Sequence, residues 1–242
     1  VFKSEPPLPP TKAQADLRSN ATESSSKFWK SYKSLCTDKD FLLLTISFGI
    51  CIGVYVALCT MLNQIILEYF ENAEKDAGLI GLLLVVVGMG GVLLFGVILD
   101  KTKKYKQTTV ALYAMTILGV IAFMAALETR NKILVYISGC LLGFFQTAYY
   151  GVSFEFGVEL SYPQPESTST GILIVMVQIL GIAFTLLLGQ LLTNFGTFWA
   201  LAMMVVFLVL GGIITVIIPN KLLRQEALKS SPEKKMFLPK TE

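Results

Sequence analysis

Glu155 and Glu159 are the first residues in this chain whose type and spacing could do chemistry. Four residues apart, they share one face of a helix. Two carboxylates so placed could pass a proton or act as an acid–base pair. The same spacing equally serves pairing with basic residues or capping of a helix end, and that structural reading is the one the surroundings favour. No nucleophile–base pair, metal-ligand spacing or phosphate-binding loop accompanies them. The other candidates are uncharged. Gln178 sits in the middle of an apolar run, with Gly171, Gly181, Thr185 and Gly189 on its broad face. Gln146 belongs to a stripe at helical spacing that also holds Gly139, Gly143, Thr147 and Tyr150. Thr45, Gly49, Gly53, Val56, Thr60 and Asn63 mark a third stripe, with Gln64 beside it and Tyr55 about 100° around the helix. Such groups recognise a solute rather than break a bond. Each also has a packing alternative, an interhelical hydrogen bond for Gln146 or Gln178 and close helix approach for the glycines.

A different device is spelled by "GVILDKTKKYK". An Asp at a helix end, followed by a basic cluster, can pair and release. Asp100 with Lys101 and Lys104, together with Glu155 and Glu159, are therefore candidates for a conformational latch; a solvated basic turn is the alternative. The four cysteines (Cys36, Cys51, Cys59, Cys140) lack metal spacing, and histidine is absent. This half of the molecule thus offers no usual proton carrier and no common metal ligand. No cofactor and no metal are expected, and the three cysteines inside apolar runs are expected to be small buried side chains.

What must position these residues is unusual. Six apolar stretches run over Phe41 to Leu67, Ala77 to Leu99, Thr108 to Leu127, Ile133 to Phe154, Gly171 to Leu192 and Phe198 to Ile218. A helix rising ~1.5 Å per residue needs about 20 apolar residues to cross a ~30 Å hydrocarbon core. Every stretch meets that length. With 54% hydrophobic and 15% charged residues, the chain is expected to be an all-α, six-span bundle in a lipid bilayer. The six spans remove nucleic-acid readers from consideration, and a net charge of +3 over 242 residues is too small and too spread out to suggest nucleic acid as a partner. Gly78, Gly81, Gly88 and Gly96 line one broad face of the second span. They are expected to serve helix packing, with a sliding face as the alternative.

Lysine and arginine orient the bundle, because basic residues are retained on the cytoplasmic side. Seven precede the first span, four lie between spans two and three, and six follow the last span; the opposite side has only three. Both ends are therefore expected in the cytoplasm. Asn20-Ala21-Thr22 matches a glycosylation site, and on this topology it stays bare. Residues 1–40 read as a cytoplasmic linker ending in a short interfacial helix over 27–40, 41–218 as the bundle, and 219–242 as a cytoplasmic tail. In "KFWKSYKSLCTDKD", Phe28, Trp29, Tyr32 and Leu35 can dip into the interface while the lysines face anionic lipid. The chain begins without Met in a Pro-rich segment and is expected to be one half of a longer protein.

"PPLPPTKAQA", "CTMLNQIILEYF", "AGLIGLLLVVVGMGG", "LDKTKKYKQTT", "GFFQTAYYGVSFEFGVELSYPQPESTSTG" and "VQILGIAFTL" occur in order, within a resemblance that covers residues 2 to 225. Together they resemble the C-terminal half of the feline leukaemia virus subgroup C receptor family, solute carrier family 49 of the major facilitator superfamily. The resemblance implies a twelve-helix transporter whose N-terminal six-helix half is the partner of this chain. It implies a small-molecule substrate, choline or ethanolamine, with haem export also associated with the family. It further implies an aromatic cage that holds a quaternary ammonium by cation–π attraction, and a substrate-contacting glutamine at Gln178. Where the family reads G-x-F-Y, this chain reads Gly53-Val54-Tyr55-Val56, so Val56 stands at the tyrosine position.

The expected function is a facilitative secondary transporter of a small organic cation, working by alternating access in the plasma membrane. Gln178, Tyr55, Val56, Gln64, Gln146 and Tyr150 are the expected substrate contacts. The alternatives are a haem exporter of the same family, a non-transporting membrane receptor or scaffold, and, least favoured, an intramembrane enzyme using Glu155 and Glu159; no enzymatic activity is expected.

Overall fold

The computed structural model describes residues 24–219. The linker before Ser24, its Asn20 sequon and nearly all of the predicted tail lie outside the described residues. Seven helices follow one another: α1 Ser24–Thr37, α2 Lys39–Tyr69, α3 Glu74–Thr102, α4 Tyr105–Glu128, α5 Lys132–Ser161, α6 Glu166–Phe195 and α7 Thr197–Ile217. There is no strand among the described residues. Helices α2 to α7 are each long and apolar enough to cross a membrane. They correspond to the six predicted spans but run past them by up to five residues at the N-terminal and seven at the C-terminal ends, because polar residues at helix ends continue the hydrogen-bonded ladder outside the apolar segment; only α7 stops one residue short, at Ile217. The short leading helix begins three residues earlier than the predicted 27–40 and stops at Thr37.

The termini are fixed by specific residues. Asp38 caps α2, its side chain accepting hydrogen bonds from the backbone N–H of Asp40 at 2.9 Å and of Phe41 at 3.5 Å. Asn131 does the same for α5 through the N–H of Ile133 at 3.0 Å. Lys103 ends α3 in the left-handed conformation, φ 54°, with its N–H on the Leu99 carbonyl. Gly196, φ 80°, makes the turn from α6 into α7. There Glu68 of α2 reaches across, accepting from the Thr197 N–H at 3.1 Å and from the Thr197 hydroxyl. A carboxylate from another helix thereby caps α7 and meets the positive end of its dipole.

Two close helix pairs organise the bundle, α3 with α5 and α2 with α6, and α4 packs on the outer side of α5. Helix α7 closes the back against α2, α4 and α6. Close approach in each pair follows from glycine. A Cβ on Gly91 or Gly143 would run into backbone of the opposite helix, at Phe144 and Leu84 respectively, and one on Gly88 would lie 2.9 Å from the Gly143 carbonyl oxygen. In the second pair, Gly53 faces the backbone at Leu180 and Gly181 at 3.1 Å, and Gly49 faces Met176 at 2.7 Å. The predicted stripe on the second span is therefore corrected. Gly88 packs, Gly81 makes an ordinary contact with Leu62, and Gly78 and Gly96 face open space. Gly91, off the stripe, makes the closest crossing, because the face of α3 that meets α5 is rotated from the predicted one.

The core between α2, α4, α5 and α7 is not wholly apolar. Ser47 donates to the Gly211 carbonyl at 3.0 Å and shares a short hydrogen bond with Thr215. Tyr113 and Tyr149 stack edge to face nearby, their ring centroids 5.2 Å apart. At the end of the bundle away from α1, Asp76 accepts from Lys132 and, at 2.8 Å, from the Tyr136 hydroxyl. Tyr69 donates to Glu128. These bonds tie α3 to α5 and α2 to α4.

Candidate functional site

Helices α2 and α6 touch most closely at Gly49 and Gly53 and part on either side of that crossing. Beyond it, away from α1, a cleft of about 270 Å³ opens between them, lined by Val56 and Thr60 on α2 and by Gln178, Gly181, Ile182, Thr185 and Leu186 on α6. Three of these side chains are polar and none is charged. Gln178, twelve residues into the thirty-residue helix α6, is exposed to this cleft. Gly181 has ordinary contact room against Val56, 3.5 Å from where a Cβ would stand. An uncharged polar side chain at this depth is costly unless it faces a cavity or a partner, and Gln178 faces a cavity.

The other sequence-predicted residues divide. Val56 joins Gln178 in the cleft. Gln64 is exposed on the same helix two turns further on but does not line it. Tyr55 turns toward α5, beside Thr147 of that helix and Cys59 of its own. Tyr150 is 38% exposed, on the α5 face next to α2. Its ring meets Phe154 at 4.7 Å and Phe48 at 5.6 Å in a three-ring cluster. Gln146 is only 1% exposed. Its amide nitrogen donates to the Cys51 carbonyl at 3.3 Å, and its amide oxygen accepts from the Cys51 thiol at 3.6 Å. The structure thus places Gln146 in the α2–α5 seam, as helix-to-helix glue.

The charged candidates do not converge on one site. Asp100 pairs with Lys103 at 3.5 Å, on an exposed turn; Lys101 and Lys104 are exposed on the same turn. The left-handed backbone of Lys103 brings its side chain back over the last turn of α3. Glu159 is buried and Glu155 exposed, one turn apart on α5. Among the described residues no group of His, Cys, Asp and Glu is placed to hold a metal ion.

Sequence reasoning named three further residues without selecting them as substrate contacts. Thr60 and Thr185 line the cleft, and the signal that could have selected them was present, since each lies on a stripe with Val56 or Gln178. Cys59 is exposed rather than buried, one residue from Thr60. The expectation of a small buried side chain is corrected there, and the Cys59 thiol lies beside the Tyr55 hydroxyl one turn earlier on α2. Cys51 is buried as expected, and Cys140 is half-buried.

Comparison of the sequence with known proteins identifies the family. Residues 1–164 match the model of the Major Facilitator Superfamily. The chain is 42% identical over 227 residues to the choline/ethanolamine transporter flvcr2a of Danio rerio, covering 94% of this chain and 48% of that one. It is 40% identical to the choline/ethanolamine transporter FLVCR2 of Rattus norvegicus over 98% of this chain and 43% of the relative. It is 45% identical to the choline/ethanolamine transporter FLVCR1 of Mus musculus over 81% of this chain and 35% of the relative. The chain spans less than half the length of each of these relatives. With six apolar helices in a half-length bundle and a matching family model, the chain belongs to the Major Facilitator Superfamily.

Proposed function

We propose that this chain is the C-terminal half of a facilitative carrier for a small organic cation of the choline or ethanolamine kind, moving it by alternating access across the plasma membrane. The observation that carries the reading is the uncharged cleft at Gln178. A quaternary ammonium cannot donate a hydrogen bond, so amide and hydroxyl dipoles and aromatic faces recognise it without a counter-charge. Gln178, Thr60 and Thr185 supply such dipoles. Tyr55 and Tyr150 are the aromatic candidates of this half, although Tyr55 turns toward α5 and Tyr150 packs on Phe48, outside the cleft lining. The names of the matched relatives point to the same substrates.

The second six-helix half is the proposed partner. Its landing surface is the exposed side of α3 and α6, where Leu82, Val86, Met89, Val175 and Ile182 present apolar side chains and Gly78, Gly90 and Gly171 face open space. The basic residue count puts the α1 end in the cytoplasm. There Asp100 and Lys103, with Lys101 and Lys104 beside them, form the proposed latch that is made in one conformation and released in the other.

Uptake of radiolabelled choline by cells expressing the full-length protein tests the reading. Gln178→Ala, at matched surface expression, is expected to lower uptake about tenfold, the loss of one charge-assisted contact. Uptake unchanged by that substitution removes the site. Collapsing the proton gradient is expected to leave initial rates unaltered, and a steep dependence overturns facilitative transport.

A further inference from the structure

Hydroxyl groups from four helices converge inside the bundle. Ser47 of α2 and Thr215 of α7 hydrogen-bond each other and the Gly211 carbonyl. The Tyr149 hydroxyl of α5 lies beside Ser47, Thr215 and Ser153. The Tyr113 hydroxyl of α4 lies beside Ser47 and the Cys51 thiol. Gly211 admits it, since a Cβ there would collide with that hydroxyl. All of these residues fall within the apolar runs of the sequence. Ser47, Tyr113, Tyr149, Ser153 and Thr215 are each no more than 1% exposed. None belongs to α3 or α6, the side proposed to meet the second half, so their burial is complete within this chain.

The hydrogen bonds of this cluster do not close. Ser47 and Thr215 spend their hydrogens on each other and on Gly211. The Tyr113, Tyr149 and Ser153 hydroxyls have no hydrogen-bond partner among the described residues. An unmet polar group is expensive in a membrane core, where no solvent compensates it. Hydroxyls that are unmet and also gathered at one point mark the place of a small group that both accepts and donates. Tyr113 and Thr215 also line a cavity of about 270 Å³ between α4 and α7, and a water needs only about 10–15 Å³ of space. The cluster contains no carboxylate. A cation would therefore be buried there without a counter-charge, a cost that water does not carry.

We infer that this cluster is a binding site for one ordered water, which accepts from the Tyr113 and Tyr149 hydroxyls and donates to the oxygens of Ser47 and Ser153. Those partners match the two acceptor and two donor positions of a water. The water ties α2, α4 and α5 at one point, and α7 joins them through the bond from Thr215 to Ser47. The site is separate from the Gln178 cleft and does not depend on which solute that cleft carries.

The test uses the full-length protein in detergent. X-ray pulses generate hydroxyl radicals from bound water, and peptide mass locates the side chains they oxidise. Tyr113 and Tyr149 are expected to label several-fold faster than Phe123 and Phe156, which are buried to a similar degree. Tyr113→Phe combined with Tyr149→Phe is expected to slow labelling of Cys51 several-fold. Each single substitution is expected to lower the unfolding midpoint by about 1–2 °C, the loss of one hydrogen bond. A dry cluster gives the opposite sign, because phenylalanine then removes a hydroxyl that had no partner. A midpoint unchanged or raised by either substitution overturns the inference, as does labelling of either tyrosine no faster than that of the two phenylalanines. A midpoint that rises when sodium replaces potassium, in the wild type but not in the double variant, assigns the cluster to a cation and overturns it as well. The labelling of the unsubstituted protein decides the matter even where a variant fails to fold.

Discussion

Gln146 and Gln178 carry the same amide into the bundle and meet opposite surroundings. The Gln146 amide is saturated by the thiol and carbonyl of Cys51, whereas Gln178 opens onto the cleft. Their substitutions should therefore separate. Gln146→Ala is expected to destabilise by about 1–3 kcal/mol, because it opens the α2–α5 seam, and to leave the KM for choline unchanged. Gln178→Ala is expected to do the reverse, and thermal unfolding beside uptake kinetics distinguishes the two. A gain is also expected. Val56→Tyr places an aromatic face in a cleft with room for it, and should lower the choline KM about two- to fivefold, the worth of an exposed cation–π contact of about 0.5–1 kcal/mol. Helical periodicity puts both glutamines on polar stripes of their helices. It contains nothing about which stripe meets another helix, since that depends on residues about 95 positions away, such as Cys51 for Gln146.

At the scale of elements, the same ambiguity governs the glycines. Spacing reveals a small-residue face but not the neighbour across it, and a rotation of α3 by part of a turn exchanges Gly78 and Gly96 for Gly91. Alanine at Gly91 or Gly143 is expected to prevent assembly of the bundle, since the obstacle is backbone and cannot move aside. Alanine at Gly78 or Gly96 should leave the folded yield of the full-length protein near wild type. Fluorescence-detected size-exclusion of the four variants checks the contrast. The tie from Glu68 to Thr197 gives a milder prediction: Glu68→Ala removes the cap of α7 and should cost about 0.5–2 kcal/mol, read as a lower unfolding midpoint. That cap was invisible in sequence, because its two partners are 129 residues apart. The spans themselves were legible throughout, because a bilayer demands apolar length and six helices meet that demand.

At the scale of the whole molecule, charge asymmetry carries the topology. Seventeen of the twenty basic residues belong in sequence to the segments that precede the first span, join the second to the third, or follow the last. If the side these segments share is cytoplasmic, Asn20 bears no glycan, and treatment of the full-length protein with a glycosidase should leave the mass of the peptide containing Asn20 unchanged. A sugar at Asn20 inverts the orientation. Composition also bounds the energetics of transport, since the chain has no histidine and the cleft has no carboxylate, which is why proton coupling is not expected from this half. The interlock of Gly88, Gly91 and Gly143 has a mechanical corollary. Two rods joined backbone to backbone flex as a single beam, so in the proposed alternating-access cycle α3 and α5 swing together. Strain then gathers at the joints of that beam, the α3–α4 corner at Lys103 and the short turn before Lys132, and hydrogen exchange during turnover should be fastest at those two corners and slowest along the welded stretch between them.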